Sequence, residues 1–430
     1  MQAVPIKEDL GGLVGKTDSS LRFDTKLIHG GTAPGPYGAT KTPIVQASAF
    51  AYDSAEELED IFKGRAIGQV YTRIGNPTLE TLEKRLALIE NGISAVVTAS
   101  GMAAITTAVM AVVRSGDEIL SSSSLFGGTY SLFHDTLANY GIKTRFVDPT
   151  DLAAVQGAVN DSTRLIFVET IGNPRMDVPD IAEFSRIARG NGIPLMVDAT
   201  VSTPWLARVR ELGADIVIHS TSKYINGTAN SIGGAIIDAG SFDWQSDKFP
   251  HFEPFHRKYR SFAFTARVRK LIHKDFGACA APFNSFLLGE GLETLALRME
   301  RHCSNALKVA RFLDSHEKVS WVNYPGLPDS PFHEVANRQF NGRFGGLLTF
   351  GLADKKSAFR LINNLHLAKN LANIGDTKTL VIHPASTICA DYTAEVKALM
   401  GVSEEQVRVS VGIEDIEDIL EDFASALENI

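Results

Sequence analysis

One lysine stands directly after a short apolar segment, and it is the residue of this chain best placed to do chemistry. Residues 216–218 are β-branched, as expected for a strand that is buried on both faces, and a hydroxyl-rich turn with Lys223 follows. Ligands of open α/β sheets bind at the carboxyl ends of strands. Burial there lowers the pKa of a lysine and makes it a usable nucleophile or base. Because most lysines are solvated, this interpretation depends on the neighbours of Lys223.

Polar residues at the ends of two earlier predicted strands would meet this lysine at one edge of the sheet. One strand runs into Glu169 and Asn173, and the next runs into Asp198. Asp198 precedes Lys223 by one strand–helix–strand step, so the two side chains can meet across neighbouring strand ends. An acid, an amine and several hydroxyl groups that converge in this way predict a site.

A glycine at the start of a predicted helix offers a seat for a phosphate. Residues 95–98 are typical of a strand, and Ser100, Gly101 and Met102 then open an apolar helix. Backbone N–H groups and the helix dipole favour an anion at such a point, although the same residues also suit an ordinary tight turn.

Two arginines could bind anions, and each has an ordinary alternative. Tyr71 and Arg73 precede a helix that Asn76 should cap, and they either bind an anion together or form a surface pair. Arg408 alternates with valines on a predicted strand, so it either is solvated or faces the cleft. In the cleft, its guanidinium fork would fit a carboxylate.

The elements that must position these residues predict an α/β fold. From residue 94 the sequence alternates strands and helices, which indicates a mainly parallel sheet with helices on both faces. Strands are expected at 95–98, 118–121, 143–147, 165–169, 195–198, 216–219, 234–238, 346–350, 380–383 and 407–411. Intervening helices should begin near residues 128, 151, 179 and 204. We therefore predict an arm at 1–65, a sheet domain at 66–283 and a smaller C-terminal α+β domain at 284–430.

Three local features carry further expectations. Residues 1 to about 50 should be rich in loops because of their glycines and prolines. Asp53 and Glu56 resemble a capping box for a short helix that runs through Phe62. A long helical stretch at 284–315 should be broken or kinked near Gly289 and Gly291.

Composition narrows the class of protein. The chain has 430 residues, of which 44% are hydrophobic and 21% charged, as in ordinary globular proteins. A net charge of −8 without a dense Lys/Arg run argues against a nucleic-acid partner. Cys279, Cys303 and Cys389 are far apart and should be free thiols in a reducing cytosol, without a disulfide framework or zinc site. No signal sequence or membrane span is evident, so we expect a cytoplasmic protein.

A buried lysine, an aspartate and a phosphate seat are together what pyridoxal 5'-phosphate (PLP) requires. The lysine forms a Schiff base with the cofactor, and the aspartate keeps the pyridine nitrogen protonated. Hydroxyl groups and helix N–H groups hold the phosphate. A nicotinamide cofactor has little support, because no GxGxxG motif follows the first strand.

The chain resembles the Cys/Met-metabolism family of PLP-dependent enzymes from about residue 23 to 428. The motifs that carry the resemblance are Tyr71-Thr72-Arg73, Ser100-Gly101-Met102-Ala103, Gly127-Gly128-Thr129, Asn173-Pro174, Asp198, Ser220-Thr221-Ser222-Lys223-Tyr224, His383-Pro384-Ala385-Ser386-Thr387 and Arg408. Within the family, residues 257–275 and 373–378 look most like O-acetylhomoserine sulfhydrylases.

The resemblance implies a fold type I transferase that is active as a dimer and usually assembles as a homotetramer. Lys223 would bind PLP and move protons, and Asp198 would pair with the pyridine nitrogen. Further cofactor contacts would come from Ser100, Gly101, Met102, Phe126, Thr200, Ser220 and Ser222, and from Tyr71 and Arg73 across a subunit interface. The substrate carboxylate would be bound by Asn173, Ser386 and Arg408.

The implied reaction is γ-replacement in methionine and cysteine biosynthesis, in which sulfide or a thiol replaces the acetyl group of O-acetyl-L-homoserine. A methionine or cystathionine γ-lyase and a cystathionine γ-synthase remain alternatives, because they share the cofactor residues. A catalytically silent member is disfavoured, because Lys223, Asp198 and Arg408 are all present. The leaving group, the nucleophile and the choice between dimer and tetramer stay open.

Two positions depart from the family pattern. Phe126 replaces the ring-stacking tyrosine, so stacking survives but any acid–base role of that hydroxyl is lost. Either γ-elimination proceeds without the hydroxyl, Tyr71 contributes as a second catalytic residue, or the chemistry differs from that of the family. Ile388-Cys389 follows Thr387 where the family often has Thr-His, which should reshape the mouth of the pocket. We interpret Cys389 as structural.

Overall fold

The strands belong to two sheets. The computed structural model describes residues 20–32 and 38–430. The larger sheet contains β1 (Ser94–Thr98), β2 (Glu118–Ser122), β3 (Lys143–Val147), β4 (Thr163–Glu169), β5 (Leu195–Asp198), β6 (Ile216–His219) and β7 (Gly234–Asp238). The smaller sheet contains β8 (Trp321–Asn323), β9 (Leu347–Gly351), β10 (Lys369–Asn370), β11 (Leu380–Ile382) and β12 (Gln406–Ser410).

Helices precede, connect and follow these strands. The α-helices are α1 (Phe23–His29), α2 (Ala55–Lys63), α3 (Pro77–Ile89), α4 (Gly101–Val112), α5 (Gly127–Ser131), α6 (Leu152–Ala158), α7 (Ile181–Gly190), α8 (Thr203–Leu206), α9 (Glu253–Tyr259), α10 (Ala263–Arg267), α11 (Lys274–Phe276), α12 (Pro282–Glu293), α13 (Leu295–Asp314), α14 (His333–Gln339), α15 (Lys355–Asn364), α16 (Ala394–Leu399) and α17 (Ile416–Glu428). Shorter 3₁₀ and π turns lie at Leu132–Thr136, Leu137–Tyr140, Pro250–Phe252, Arg260–Phe262, Val268–His273 and Pro384–Ser386.

The larger sheet is mainly parallel and is covered on both faces, which confirms the predicted α/β fold. Its order is β1-β7-β6-β5-β4-β2-β3, and β7 alone runs antiparallel to its neighbours β1 and β6. Every residue of β2, β6 and β7 is buried. Since successive residues of a strand point to opposite faces, this burial requires cover on both sides. The predicted strands occur within two residues of their expected ends.

Strand register places the chemistry-bearing residues at one edge. Glu169 of β4 lies beside Asp198 of β5, and Asp198 lies beside Ile218 of β6. Lys223 follows β6 by one short turn. The sequence argument for convergence at the carboxyl ends of these strands is therefore confirmed.

The smaller sheet brings Arg408 into the interior. Its order is β10-β11-β12-β9-β8, so β12 lies between two neighbours. All five residues of β12 are buried, and Arg408 is 4% exposed. The solvated alternative for this arginine is therefore wrong. The division into three parts at 1–65, 66–283 and 284–430 stays a prediction.

Two local expectations need correction, and two short strands were not predicted. Among the loop-rich first 50 residues, α1 forms at Phe23–His29; residues 1–19 and 33–37 lie outside the described residues. Ser54, and not Asp53, caps α2, because its Oγ accepts a hydrogen bond from the Glu57 N–H at 3.0 Å. The two short strands β8 and β10 had no periodic pattern long enough to predict them.

The long helix is divided at a different residue from the one expected. α12 and α13 meet at Thr294, and neither Gly289 nor Gly291 interrupts the helix. A Cβ atom at Gly291 would lie 2.4 Å from the carbonyl oxygen of Asn226. This glycine therefore lets the helix pack closely against the turn that follows Lys223.

Candidate active site

A cavity of about 430 Å³ opens at the carboxyl ends of β4, β5 and β6 and reaches Arg408 of β12. Eleven of the predicted site residues line it: Ser100, Gly101, Met102, Phe126, Asn173, Asp198, Thr200, Ser220, Ser222, Lys223 and Arg408. Tyr71, Arg73 and Ser386 do not line it. Sequence positions far apart in the chain thus share one cleft.

The start of α4 forms a narrow anion seat. Ser100 caps the helix, because its Oγ accepts a hydrogen bond from the Ala103 N–H at 3.1 Å. A Cβ atom at Gly101 would lie 2.6 Å from the Cβ of Ser220, so a larger residue does not fit. The Ser220 N–H donates to Thr200 Oγ1 at 2.8 Å, which ties this turn to the end of β5. Helix N–H groups and hydroxyl groups therefore meet where a phosphate would be stabilised.

Gly101→Ala should weaken PLP binding by at least about tenfold, because relieving the clash with Ser220 costs about 1–3 kcal/mol and widens the seat. The measurement is a titration of the apoprotein with PLP. Gly157→Ala is the matched control, since a Cβ atom there has nothing within 4 Å. Equal PLP affinity in Gly101→Ala and the wild type would show that the seat is elsewhere.

Asp198 is held beside a second carboxyl group. Its Oδ1 accepts a hydrogen bond from the Thr200 N–H at 2.9 Å. Burial raises the pKa of Asp198, while the Thr200 hydrogen bonds and His219 lower it. Burial and then the charge of Asp198 raise the pKa of Glu169 well above its ordinary range. The stronger upward shift is that of Glu169, so Glu169 is the carboxyl group of this pair that keeps a proton more readily.

Glu169 also fixes the segment that carries the aromatic ring of the cleft. Its Oε1 accepts a hydrogen bond from the Phe126 N–H at 2.7 Å, and Glu169 lines the cavity. The sequence placed this acid at a strand end but gave it no role. The register of β4 against β5 adds that Glu169 lies directly beside Asp198 in the site.

Lys223 is a lysine with an unusually low pKa. Burial lowers the pKa of its amine to about 8, and the positive charge of Arg408 adds to this effect. Its Nζ donates a hydrogen bond to Asn373 Oδ1 at 2.6 Å. Sequence reasoning noted the segment 373–378 only for its resemblance and missed the contact of Asn373 with the lysine.

Arg408 is a buried cation whose hydrogen-bond partners are neutral. Its Nη1 donates to Asn173 Oδ1 at 3.0 Å, and its Nη2 donates to the carbonyl oxygen of Asn373 at 3.2 Å. Burial lowers its pKa to about 10, which leaves it charged at neutral pH. Within the described residues, no carboxylate forms an ion pair with it. A buried guanidinium in this state is suited to a substrate carboxylate.

Three predicted site residues lie outside the cavity. Tyr71 is 45% exposed, and the guanidinium carbon of Arg73 lies 5.5 Å from the centroid of its ring. Arg73 also donates a hydrogen bond to the Lys274 carbonyl oxygen at 2.6 Å. Ser386 is exposed, and its hydroxyl lies 2.8 Å from His383 Nδ1. The roles of these three residues stay predictions.

The mouth of the cavity is apolar. Phe126 and Ile388, the two departures noted in the sequence, both line it. Cys389 is buried instead, and burial raises the pKa of its thiol, as suits a structural residue. Tyr392 holds the segment in place by donating a hydrogen bond to the Gly127 carbonyl oxygen at 2.6 Å. No polar group from positions 126 or 388 is therefore available to the substrate.

These residues fit PLP. The seat at Gly101 is too narrow for a Cβ atom, the Thr200 hydrogen bonds favour the ionised form of Asp198, and the Lys223 amine has a pKa of about 8. Among the described residues there is no group of three or more His, Cys, Asp or Glu side chains that could hold a metal ion. In the same part of the chain, no helix is long and apolar enough to cross a membrane.

Comparison with known proteins gives consistent matches over nearly the whole chain. Residues 24–428 match the family model described as Cys/Met metabolism PLP-dependent enzyme. An O-acetyl-L-homoserine sulfhydrylase from Leptospira meyeri is 42% identical over 97% of this chain and 100% of its own length. A homocysteine synthase from Schizosaccharomyces pombe is 41% identical, over 95% of this chain and 99% of its own.

A solved structure is also similar. A Campylobacter jejuni chain described as an O-acetylhomoserine (thiol)-lyase has a TM-score of 0.91 and 34% identity, over 95% of this chain and 100% of its own. That structure contains N'-pyridoxyl-lysine-5'-monophosphate.

Proposed function

The chain belongs to the Cys/Met metabolism family of PLP-dependent enzymes, and from this membership we propose that it catalyses γ-replacement on O-acetyl-L-homoserine. Sulfide or a thiol replaces the acetyl group, which gives homocysteine or methionine and releases acetate. The names of the relatives support this reaction, since they are O-acetylhomoserine sulfhydrylase and homocysteine synthase. The product places the enzyme in methionine and cysteine biosynthesis.

The charged side chains that line the cavity favour an acetylated substrate. Among the described residues that line it, the cations are Lys223 and Arg408. Arg408 is needed for the substrate carboxylate, and Lys223 is needed for proton transfer. A succinyl or phosphoryl group would bring a second negative charge into an apolar mouth, where an unpaired charge is costly. An acetyl group is neutral and fits there.

The residues of this chain divide the work as follows. When bound, PLP withdraws electrons from the substrate and makes its Cα and Cβ hydrogens acidic. Lys223 accepts these protons and returns them, since an amine with a pKa of about 8 can do both near neutral pH. Arg408 and Asn173 bind the carboxylate and so orient Cα toward the lysine.

Four further residues act on the cofactor or near the reacting Cγ. Asp198 would supply the negative charge that pairs with the pyridine nitrogen, and the Thr200 hydrogen bonds orient that carboxyl group and favour its ionised form. At Cγ, acetate departs with the C–O electron pair and the sulfur forms the new bond. Phe126 and Ile388 line the same cavity and carry no proton donor, so neither side chain can protonate Cγ, the step that leads to elimination and not to replacement.

We also propose the assembly and location that the sequence predicted. Tyr71 and Arg73 would reach the cofactor phosphate of a neighbouring subunit, and this role is supported by their position outside their own cavity. A homotetramer made of such dimers is the expected assembly. The cytoplasm is the expected location, and the free cysteines Cys279, Cys303 and Cys389 support it.

A substrate panel tests the proposed function. Purified protein with PLP is given O-acetyl-, O-succinyl- or O-phospho-L-homoserine, each with sulfide or methanethiol, and products are identified by mass spectrometry. We expect kcat/KM for the acetyl ester to exceed the others by at least about tenfold, since only it avoids a second buried charge. A clear preference for the succinyl or phosphoryl ester would contradict the assignment.

A further inference from the structure

The amine of Lys223 has a defined partner on the opposite wall of the cavity. Its Nζ donates to Asn373 Oδ1 at 2.6 Å, across 150 positions of sequence. The titratable groups that line the cavity around this amine are Arg408 of β12, Asp198 of β5 and Glu169 of β4. An amide oxygen is neutral, so it accepts the hydrogen bond without competing for the proton.

Asn373 also contacts the arginine of the carboxylate site. Its backbone carbonyl oxygen accepts a hydrogen bond from Arg408 Nη2 at 3.2 Å. Since this bond uses the backbone, the side chain remains available to the lysine. One residue therefore bridges the proposed base and the proposed carboxylate site.

The segment after Asn373 is held rigidly. The Gly375 N–H donates to Ser410 Oγ at 2.9 Å, and Gly375 has a positive φ of 74°. A Cβ atom there would lie 2.6 Å from the Tyr224 backbone nitrogen, which belongs to the residue after Lys223. The Thr377 N–H donates to the Gly227 carbonyl oxygen at 2.8 Å. Two segments on either side of the cavity are thus locked in register.

We propose that Asn373 is a positioning residue that holds the free amine of Lys223 in the orientation for proton transfer. Its side chain fixes the amine, while its backbone fixes the guanidinium that binds the substrate carboxylate. The distance between base and substrate is therefore set by one rigid segment. This role deepens the proposed function, on which its catalytic part rests.

Two variants test the contact directly, in apoprotein prepared from the full chain. Asn373→Leu has similar size and removes the acceptor, so the pKa of Lys223 should fall by about one unit, the value of a charge-assisted hydrogen bond. Asn373→Asp places a negative charge there, so the pKa should rise above about 8. The pKa is read from the pH dependence of Lys223 acylation, quantified by mass spectrometry.

The opposite signs of these shifts separate positioning from general damage to the fold. Asn363→Leu, an exposed site on α15, is the matched control and should leave the titration of Lys223 unchanged. The same pKa as wild type in both Asn373 variants would overturn the inference, as would shifts of equal sign.

Kinetics of the PLP-loaded enzyme give a second readout. Asn373→Leu should lower kcat by about tenfold to a hundredfold, because a misplaced base loses that much. KM for O-acetyl-L-homoserine should change less, since the bond from Arg408 to the backbone is kept. A raised KM with an unchanged kcat would overturn the inference. If instead the apoprotein titration shifts as expected but the wild type makes no replacement product, the proposed function fails and the contact stands.

Discussion

Lys223→Ala should reduce the rate of homocysteine formation by at least about 10⁴-fold, because it removes both the amine that binds PLP and the group that moves protons. The measurement is steady-state production of homocysteine from O-acetyl-L-homoserine and sulfide. The visible absorbance of the lysine-bound cofactor should also be absent from the purified variant. No other amine lines the cavity among the described residues, so no neighbour can take over either task.

The control for this variant is a lysine outside the cavity. Lys308 is exposed on α13, and Lys308→Ala should keep the wild-type rate and absorbance. If Lys223→Ala retained more than about one per cent of the turnover, another group would have to be the base. The assignment of Lys223 as the base would then be wrong.

Arg408→Leu should lower kcat/KM for O-acetyl-L-homoserine by about 10²–10³-fold, mainly through KM, because a buried charge-assisted contact with the substrate is worth about 2–5 kcal/mol. Arg408→Lys should recover only part of the loss, since an ammonium group lacks the guanidinium fork. Both values come from initial rates over a range of substrate concentrations.

This variant also makes a prediction about stability. Arg408 is 4% exposed and has amide oxygens, not carboxylates, as its partners in the described part of the chain. Replacing such a cation by an apolar residue removes its desolvation cost, so Tm should stay equal or rise. An unchanged KM in a stable Arg408→Leu protein would show that the substrate carboxylate binds elsewhere.

Local patterns were enough to predict the fold and the main edge of the site. Apolar β-branched segments gave the strands, and the polar residues that end β4, β5 and β6 indicated where a ligand would bind. Parallel strands explain this success, because their carboxyl ends meet at one edge whatever the exact topology. The antiparallel β7 did not alter that outcome.

Local sequence patterns could not predict contacts between segments that are distant in the chain. Asn373 reaches Lys223 from the segment between β10 and β11, and no spacing rule connects the two positions. Burial and then the charge of Asp198 raise the pKa of Glu169, and the second cause depends on the register of β4 beside β5. The alternation of Arg408 with valines is compatible with either a solvated or a buried side chain. Arg408 is buried because β12 has a neighbouring strand on each side.

The roles of two glycines also differ in how far the sequence predicts them. Gly101 was identified because a helix start and a phosphate seat share one sequence pattern. Gly291, by contrast, was interpreted as a kink, although its function is close packing against Asn226. Local sequence shows that a glycine is present but does not show which distant atoms require it.

The ratio of homocysteine to 2-oxobutyrate tests most directly whether this site performs replacement and not elimination. Wild-type protein with PLP is incubated with O-acetyl-L-homoserine and saturating sulfide, and homocysteine and 2-oxobutyrate are quantified by mass spectrometry. Because neither Phe126 nor Ile388 can donate a proton to Cγ, homocysteine and acetate should form in equal amounts, with little 2-oxobutyrate. Ammonia and 2-oxobutyrate as the main products would contradict the account and identify a γ-lyase.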